Sequence, residues 1–130
     1  MSENKNPRRN TYTIYDDNTV GTVQIADEVV AIIAGLAATE VDGVASMAGN
    51  ITNELVGKLG MKNLSRGVKV EVLEGVVSVR LALNIRYGYN IPETSQKVQE
   101  KVKSGIENMT GLEVADVNVS ISDVVLEQSK

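Results

Sequence analysis

Between Gly67 and Tyr87 apolar and polar residues alternate over a longer run than anywhere else in the chain. Val68, Val70 and Val72 alternate with Lys69 and Glu71. Val77, Val79, Leu81, Leu83 and Ile85 then alternate with Ser78, Arg80, Ala82, Asn84 and Arg86. Successive side chains of a strand point to opposite faces, so this period sorts the residues onto one apolar and one polar sheet face. Glu74-Gly75 separates the two runs, at a point where a tight reversal requires positive φ. The stretch therefore predicts a β-hairpin. Each fully buried Val, Leu or Ile contributes about 1.5–3 kcal/mol, which makes the apolar face the expected floor of the core. A lone hairpin is marginal in water, so flanking segments must cover it.

Those segments read mostly as helices. Val20 to Ile25 predicts a short strand. Asp27 and Glu28 then suit the first turn of a helix, with Asp27 as the expected cap. Val29, Val30, Ile33, Leu36, Ala37 and Val41 follow at helical spacing, and Gly43 is the expected stop. Ala31, Gly35 and Ala38 form a second stripe of small residues, suited to close packing inside the chain or, alternatively, to self-association. Val44 to Ala48 predicts another strand. Ile51, Leu55, Val56 and Leu59 predict a short amphipathic helix ended by Gly60. After the hairpin, Gly88 ends the strand and Pro92 fits a helix's first turn. Val98, Val102, Ile106 and Met109 give that helix its apolar stripe, and Gly111 closes it. Val117, Val119 and Ile121 form a last strand, with Val124, Val125 and Leu126 breaking its alternation. The second hairpin strand, the long helix and this last strand make a β-α-β unit, whose strands run parallel if they share a sheet. The expected fold is α+β: one domain with a mixed sheet of four or five strands, covered by two longer helices and one short one.

Domain boundaries follow from the same pattern. Residues 1–18 are polar with one Pro and are expected as a disordered tail, although Thr11 to Tyr15 has β-type composition that could add to a sheet edge. Residues 19–126 form the domain, and 127–130 a second tail. A length of 130 residues suits one core. That core is aliphatic, because the chain lacks Phe and Trp. Cys and His are also absent, which removes thiolate and imidazole metal ligands and the commonest general base near neutral pH. No cofactor is expected. The net charge of −4 argues against a generic nucleic-acid binder, which carries a basic surface. No apolar run approaches the ~20 residues of a membrane span, and the first ten residues lack the apolar region of a secretory signal. A cytoplasmic protein is expected, with any membrane contact made through a partner.

Four stretches together resemble a known family: GTVQIADEVVAIIAGLAATEVDGV, GVKVEVLEGVVSVRLAL, YGYNIPETSQKVQEKV and MTGLEVADVNVSISDV. In order and spacing they are similar to the alkaline shock, or Gls-type general stress, proteins of Gram-positive bacteria. The likeness runs from about Val20 to Val125. It implies a non-enzymatic envelope or alkaline stress protein that acts as scaffold or adaptor. It further implies self-association and protein partners: a small integral membrane anchor in some members, acetyl-CoA carboxylase and fatty-acid synthesis in others. No catalytic residues come with the family.

Two sets of residues are candidate sites. Gly57, Lys58, Leu59 and Gly60 spell the GxxG with which KH modules clamp a nucleic-acid backbone, and Lys62 lies nearby. Ending a short helix explains the same glycines. Lys97, Lys101 and Lys103 form either a solvated helix face or a docking surface for an acidic partner. Tyr87 and Tyr89 would share a face if extended, with packing at the strand end as their expected role. The carboxylate pairs Asp16-Asp17 and Asp27-Glu28 fit solvation and the helix dipole better than catalysis. For the hairpin, Leu81→Asp is expected to cost about 3–5 kcal/mol by burying an unpaired charge. Arg80→Asp should stay within about 0.5 kcal/mol. Urea midpoints of the two variants check the register, since equal damage would mean a sheet covered on both faces or a slip of one residue.

Overall fold

Strand β5 (Val76–Arg86) is the axis about which the larger sheet is built. The structure, a computed structural model, describes residues 11–17, 20–48 and 65–126. Strand β4 (Val68–Leu73) pairs antiparallel with β5 from Leu73↔Val76 to Val68↔Leu81. Glu74 and Gly75 form the two-residue turn between them, with φ of 55° and 79°. Two consecutive left-handed residues are what a type I′ hairpin turn requires, and its twist matches that of the strands. Strand β6 (Glu113–Val125) runs parallel along the other edge of β5. Strand β3 (Val44–Met47) pairs antiparallel with the far end of β5, Val44 opposite Ile85 and Met47 opposite Leu83.

β3 and β4 thus lie end to end along one edge of β5. Their junction is at Ala82, whose carbonyl accepts from the Ala48 N–H and whose N–H donates to the Gly67 carbonyl, both at 2.9 Å. Gly67 has φ of 76°, and a Cβ there would stand 2.9 Å from the Ala48 carbonyl oxygen. The position demands glycine for both reasons.

Val77, Val79, Leu81, Leu83 and Ile85 are all at most 2% exposed, whereas Arg80 is exposed. This is the face assignment that the alternation predicts. Two helices close the apolar face. Helix α1 (Asp27–Thr39) buries Val30, Ile33, Ala34, Ala37 and Ala38. Helix α2 (Ile91–Thr110) buries Val98, Val102 and Ile106. They meet at Gly105 of α2, where even an added Cβ would stand at ordinary contact distance, 3.6 Å from Ala37 Cβ and 3.9 Å from Ile33 Cγ2. The small residues Ala31, Gly35 and Ala38 are buried within the chain, so they serve internal packing and not self-association.

The long helix has clear ends. The Asn90 side chain accepts from the Glu93 N–H at 2.8 Å, and Pro92 sits in the first turn. Gly111 closes it at φ of 78°, its N–H donating to the Glu107 carbonyl at 2.9 Å. β5, α2 and β6 form the expected parallel β-α-β unit. The fold class is the expected α+β single domain, with four strands in the mixed sheet.

Several local expectations change. Within the stretch expected as a tail, Thr11–Asp17 forms strand β1, which pairs antiparallel with strand β2 (Gly21–Ala26) in a separate two-stranded sheet. Its β-favouring residues find their partner nearby, and Ile14 and Ile25 pack against the main core. Ala26, not Asp27, precedes the first turn of α1 and gives no side-chain cap, so Asp27 acts from within that turn. Val29 and Leu36 are 41% and 43% exposed, because the buried stripe of α1 turns through Ala34 and Ala38 instead. On α2, Met109 is 71% exposed and Thr110 continues the stripe. The Thr110 hydroxyl donates to the Ile106 carbonyl at 2.7 Å and accepts from the Leu112 N–H at 3.0 Å, which satisfies it in its buried site. The broken alternation near the C-terminus is a bulge between Ile121 and Asp123. The expected short helix at Ile51 to Leu59 and the tail at 127–130 lie outside the described residues.

The two glycine turns separate strain from collision. A Cβ at Gly75 would meet nothing within 4 Å, whereas at Gly67 it would strike backbone. Gly75→Ala should therefore lose only the ~1–2 kcal/mol of a left-handed non-glycine residue. Gly67→Ala should lose that and about 1–3 kcal/mol more for the collision. Chemical denaturation of both variants reads the difference.

Candidate interaction surface

The second face of the sheet carries no helix among the described residues. Strand pairing arranges its side chains in rows across β4, β5 and β6. One row is Glu71, Ser78 and Asp116; the next is Lys69, Arg80 and Asn118. A third holds the small residues Ala82 and Ser120, with Gly67 bonded to Ala82. The fourth is Ser46, Asn84 and Asp123, tied together in part by the Asn84 amide donating to the Ser46 hydroxyl at 3.0 Å. The third row lies low, and a shallow depression of about 580 Å³ runs beside it, lined by Gly67, Ala82 and Ser120 and by Lys69, Arg80 and Asn118.

Charges on this face are unevenly satisfied. Asp116 accepts from the Ser78 hydroxyl and, at 3.1 Å, from the Asn118 amide. Lys69 and Arg80 face each other directly across the hairpin. No carboxylate among the described residues lies within ion-pair distance of either. Like charges directly opposite one another on a sheet are destabilising.

At the end of β5 and β6 the surface turns apolar. Tyr87 is 72% exposed and Leu126 65% exposed, and the Tyr87 N–H donates to the Val125 carbonyl at 2.9 Å. Tyr89 does not continue the strand. Its ring packs over Gly43, where a Cβ would come within 2.6 Å of Cδ2. This is the expected anchoring role, for one of the two tyrosines.

The three lysines read as a solvated face or a docking surface each lie beside a carboxylate. Lys97 lies 3.9 Å from Glu93, Lys101 3.6 Å from Glu40 on the turn after α1, and Lys103 3.1 Å from Glu107. Lys103 points to the other side of the helix, towards β6. There the Lys103 ammonium donates to the Val114 carbonyl at 3.1 Å, and the Glu107 carboxylate accepts from the Val114 N–H at 3.0 Å. Gln99 donates to the Val117 carbonyl at 3.1 Å. These three side chains occupy backbone groups on the outer edge of β6 that a further strand would otherwise use. Periodicity alone gives no sign of this, since it depends on how α2 lies over β6. Gly57, Lys58, Gly60 and Lys62 lie outside the described residues. Those residues include no group of three or more carboxylates placed to hold a metal. Nor do they include a helix long and apolar enough to cross a membrane.

A mixed sheet with helices on one face and a polar opposite face is the class of protein this geometry defines. The chain belongs to the alkaline shock protein 23 family, described as having a cell envelope-related function, whose profile matches residues 15–126. It is 37% identical to YqhY of Bacillus subtilis over 107 residues, covering 82% of this chain and 79% of that protein. YloU of the same organism is 34% identical over 106 residues, covering 80% and 88%. A stress response regulator gls24 homolog of Streptococcus pyogenes is 31% identical over 105 residues, covering 80% of this chain and 59% of that one. Among solved structures, a MamM CTD variant gives a TM-score of 0.47 at 11% identity over 75% of this chain and 93% of that chain, a distant likeness only. The family is described by its relation to the envelope and not by a reaction, and it does not favour the KH-like alternative.

Glu107 makes the edge contact testable by pH. The Val114 N–H, and then the hydrogen bond and charge of Lys103, hold its carboxyl below the usual carboxylate range. A lowered folded-state pKa means that the stability it contributes is complete above the unfolded-state pKa. That contribution is lost as pH falls through the lowered value. Glu107→Gln should therefore flatten the acid limb of the melting temperature against pH, leaving the shape above pH ~6 unchanged.

Proposed function

We propose that the protein is a non-enzymatic scaffold or adaptor of the envelope stress response, working through protein–protein contact. The observation that carries this reading is the open sheet face, a broad and shallow polar surface with an apolar rim at Tyr87 and Leu126. Small-molecule chemistry favours a deep, largely apolar pocket with converging polar groups. A rowed polar face with aromatic and aliphatic residues at its border suits a protein surface better. Membership of a family with envelope-related function supports the same reading, as does likeness to relatives named stress response regulators.

The protein acts from the cytoplasmic side and reaches the membrane through a partner. Two partner classes follow from the family resemblance, a small integral membrane protein and acetyl-CoA carboxylase. Self-association, where it occurs, uses the open face or the apolar rim, because the small residues of α1 are committed to the core.

Crosslinking mass spectrometry in the native cell, with an amine-reactive reagent at native expression, tests the reading. Crosslinks from Lys69 to another protein or another copy of the chain are expected. A complete lack of intermolecular crosslinks would overturn the proposal.

A further inference from the structure

We infer that the Lys69–Arg80 strip is a receptor for a carboxylate-bearing extended segment of a partner protein, lying in the depression over Gly67, Ala82 and Ser120. This deepens the reading of the chain as a contact protein and rests on it. Three observations carry it. Two exposed cations stand directly opposite each other with no carboxylate of the described chain at ion-pair distance. In the nearest acidic row Asp116 is held by Ser78 and Asn118, and Glu71 stands opposite Ser78. The depression beside the strip is floored by a glycine, an alanine and a serine, which leaves room for an incoming chain.

The charge pattern selects the occupant. The strip is two cations wide, bordered by the row of Glu71 and Asp116 on one side and by Asp123 beyond the depression on the other. A nucleic acid or an anionic membrane presents continuous negative charge and would meet those carboxylates as well as the cations, on a chain of net charge −4. No aromatic side chain lines the depression to stack a base. One or two carboxylates on an extended peptide fit between the acidic borders and form charge-assisted hydrogen bonds with both cations. The same anion relieves the repulsion between Lys69 and Arg80, so binding and stability are coupled at this pair.

The test uses the full chain and a dye-labelled peptide of alternating Glu and Thr, followed by fluorescence anisotropy, with thermal melts of every variant. The Lys69→Gln/Arg80→Gln variant should bind about tenfold or more weakly, the scale of a lost charged hydrogen bond. It should also melt above the wild type, because the repulsion is gone. Wild-type binding should fall with added salt. The control Lys97→Gln/Lys101→Gln removes the same charge from α2 and should leave binding unchanged. Equal affinity in wild type and strip variant overturns the inference. So does equal loss in the control, a lower melting temperature in the strip variant, or preferred binding of single-stranded RNA or phosphatidylglycerol vesicles through the strip. Native-cell crosslinking separates this from the broader reading: partners captured equally by wild type and strip variant remove the strip and leave the scaffold, whereas peptide binding without any cellular crosslink removes the scaffold and leaves the strip.

Discussion

The alternation along β5 is the constraint on which the rest of the molecule depends. Every other strand of the larger sheet is hydrogen-bonded to it: β3 and β4 along one edge, β6 along the other. Its odd-numbered residues from Val77 to Ile85 form the floor on which both helices rest, and its even-numbered residues form the middle of the open face. A slip of one residue would exchange the two sets. Arg80 and Asn84 would then enter the core, and burying an unpaired charge there costs more than one apolar contact returns. The same physical fact that makes a core therefore fixes which residues can meet a partner. The helices close on this floor with Gly105 of α2 beside Ala37 and Ile33 of α1. The sheet's two sides are thus made from one strand, one dry and one wet.

Helix α2 has a second task. Its stripe from Thr94 to Thr110 is buried, but its polar flank is not merely solvated. Lys103 and Glu107 take the carbonyl and N–H of Val114, and Gln99 takes the carbonyl of Val117. Further along, the Asp123 side chain accepts from the Val124 N–H at 2.9 Å. A strand as long as β6 at a sheet edge is a template for unwanted pairing, and charged side chains and bulges are the usual protection. Here the helix supplies the charges, and β6 is bulged twice, between Val114 and Asp116 and between Ile121 and Asp123. Association through strand addition is disfavoured over most of this edge.

Much of this was legible before the structure. The hairpin, the β-α-β unit and the ends of α2 are local signals: period two, period 3.6, a proline in the first turn and a glycine stop. Placing the turn on Glu74-Gly75 also fixes the hairpin register, so that Lys69 faces Arg80 by necessity. The legible part ends where residues distant in sequence decide. Asp116 and Asn118 reach the open face only through parallel pairing with β5, 38 residues from Ser78 to Asp116. Lys103 reads as one of three solvated lysines until the crossing of α2 over β6 turns it towards Val114. Met109 has the right spacing for the core, but Thr110 takes the place, because a threonine can satisfy its hydroxyl against the helix backbone and still present a methyl group. β1 was half legible: Thr11 to Tyr15 has β-type composition, but its polar flanks read as a tail, and the pairing with Gly21–Ala26 and the packing of Ile14 decide for the strand.

The two cations on the open face persist as neighbours for a geometric reason. Side chains directly opposite on antiparallel strands stand about 4.5–5.5 Å apart at Cβ, whereas diagonal neighbours are about 7–8 Å apart. Glu71 is opposite Ser78, one row away from Arg80, and does not stand at ion-pair distance from either cation. Asp116 could lean across, but its hydrogen bonds to Ser78 and Asn118 hold it back. Exposure keeps the repulsion small, since water and salt screen it, and so the fold tolerates the pair. The outcome is a short cationic strip on an acidic protein. Beyond about 8–10 Å, the screening length near physiological salt, exposed charges are largely screened, and the net charge of −4 adds no attraction for broadly anionic surfaces. At contact distance the strip dominates. A cationic strip that acts only at contact distance selects by shape and register and not by long-range attraction.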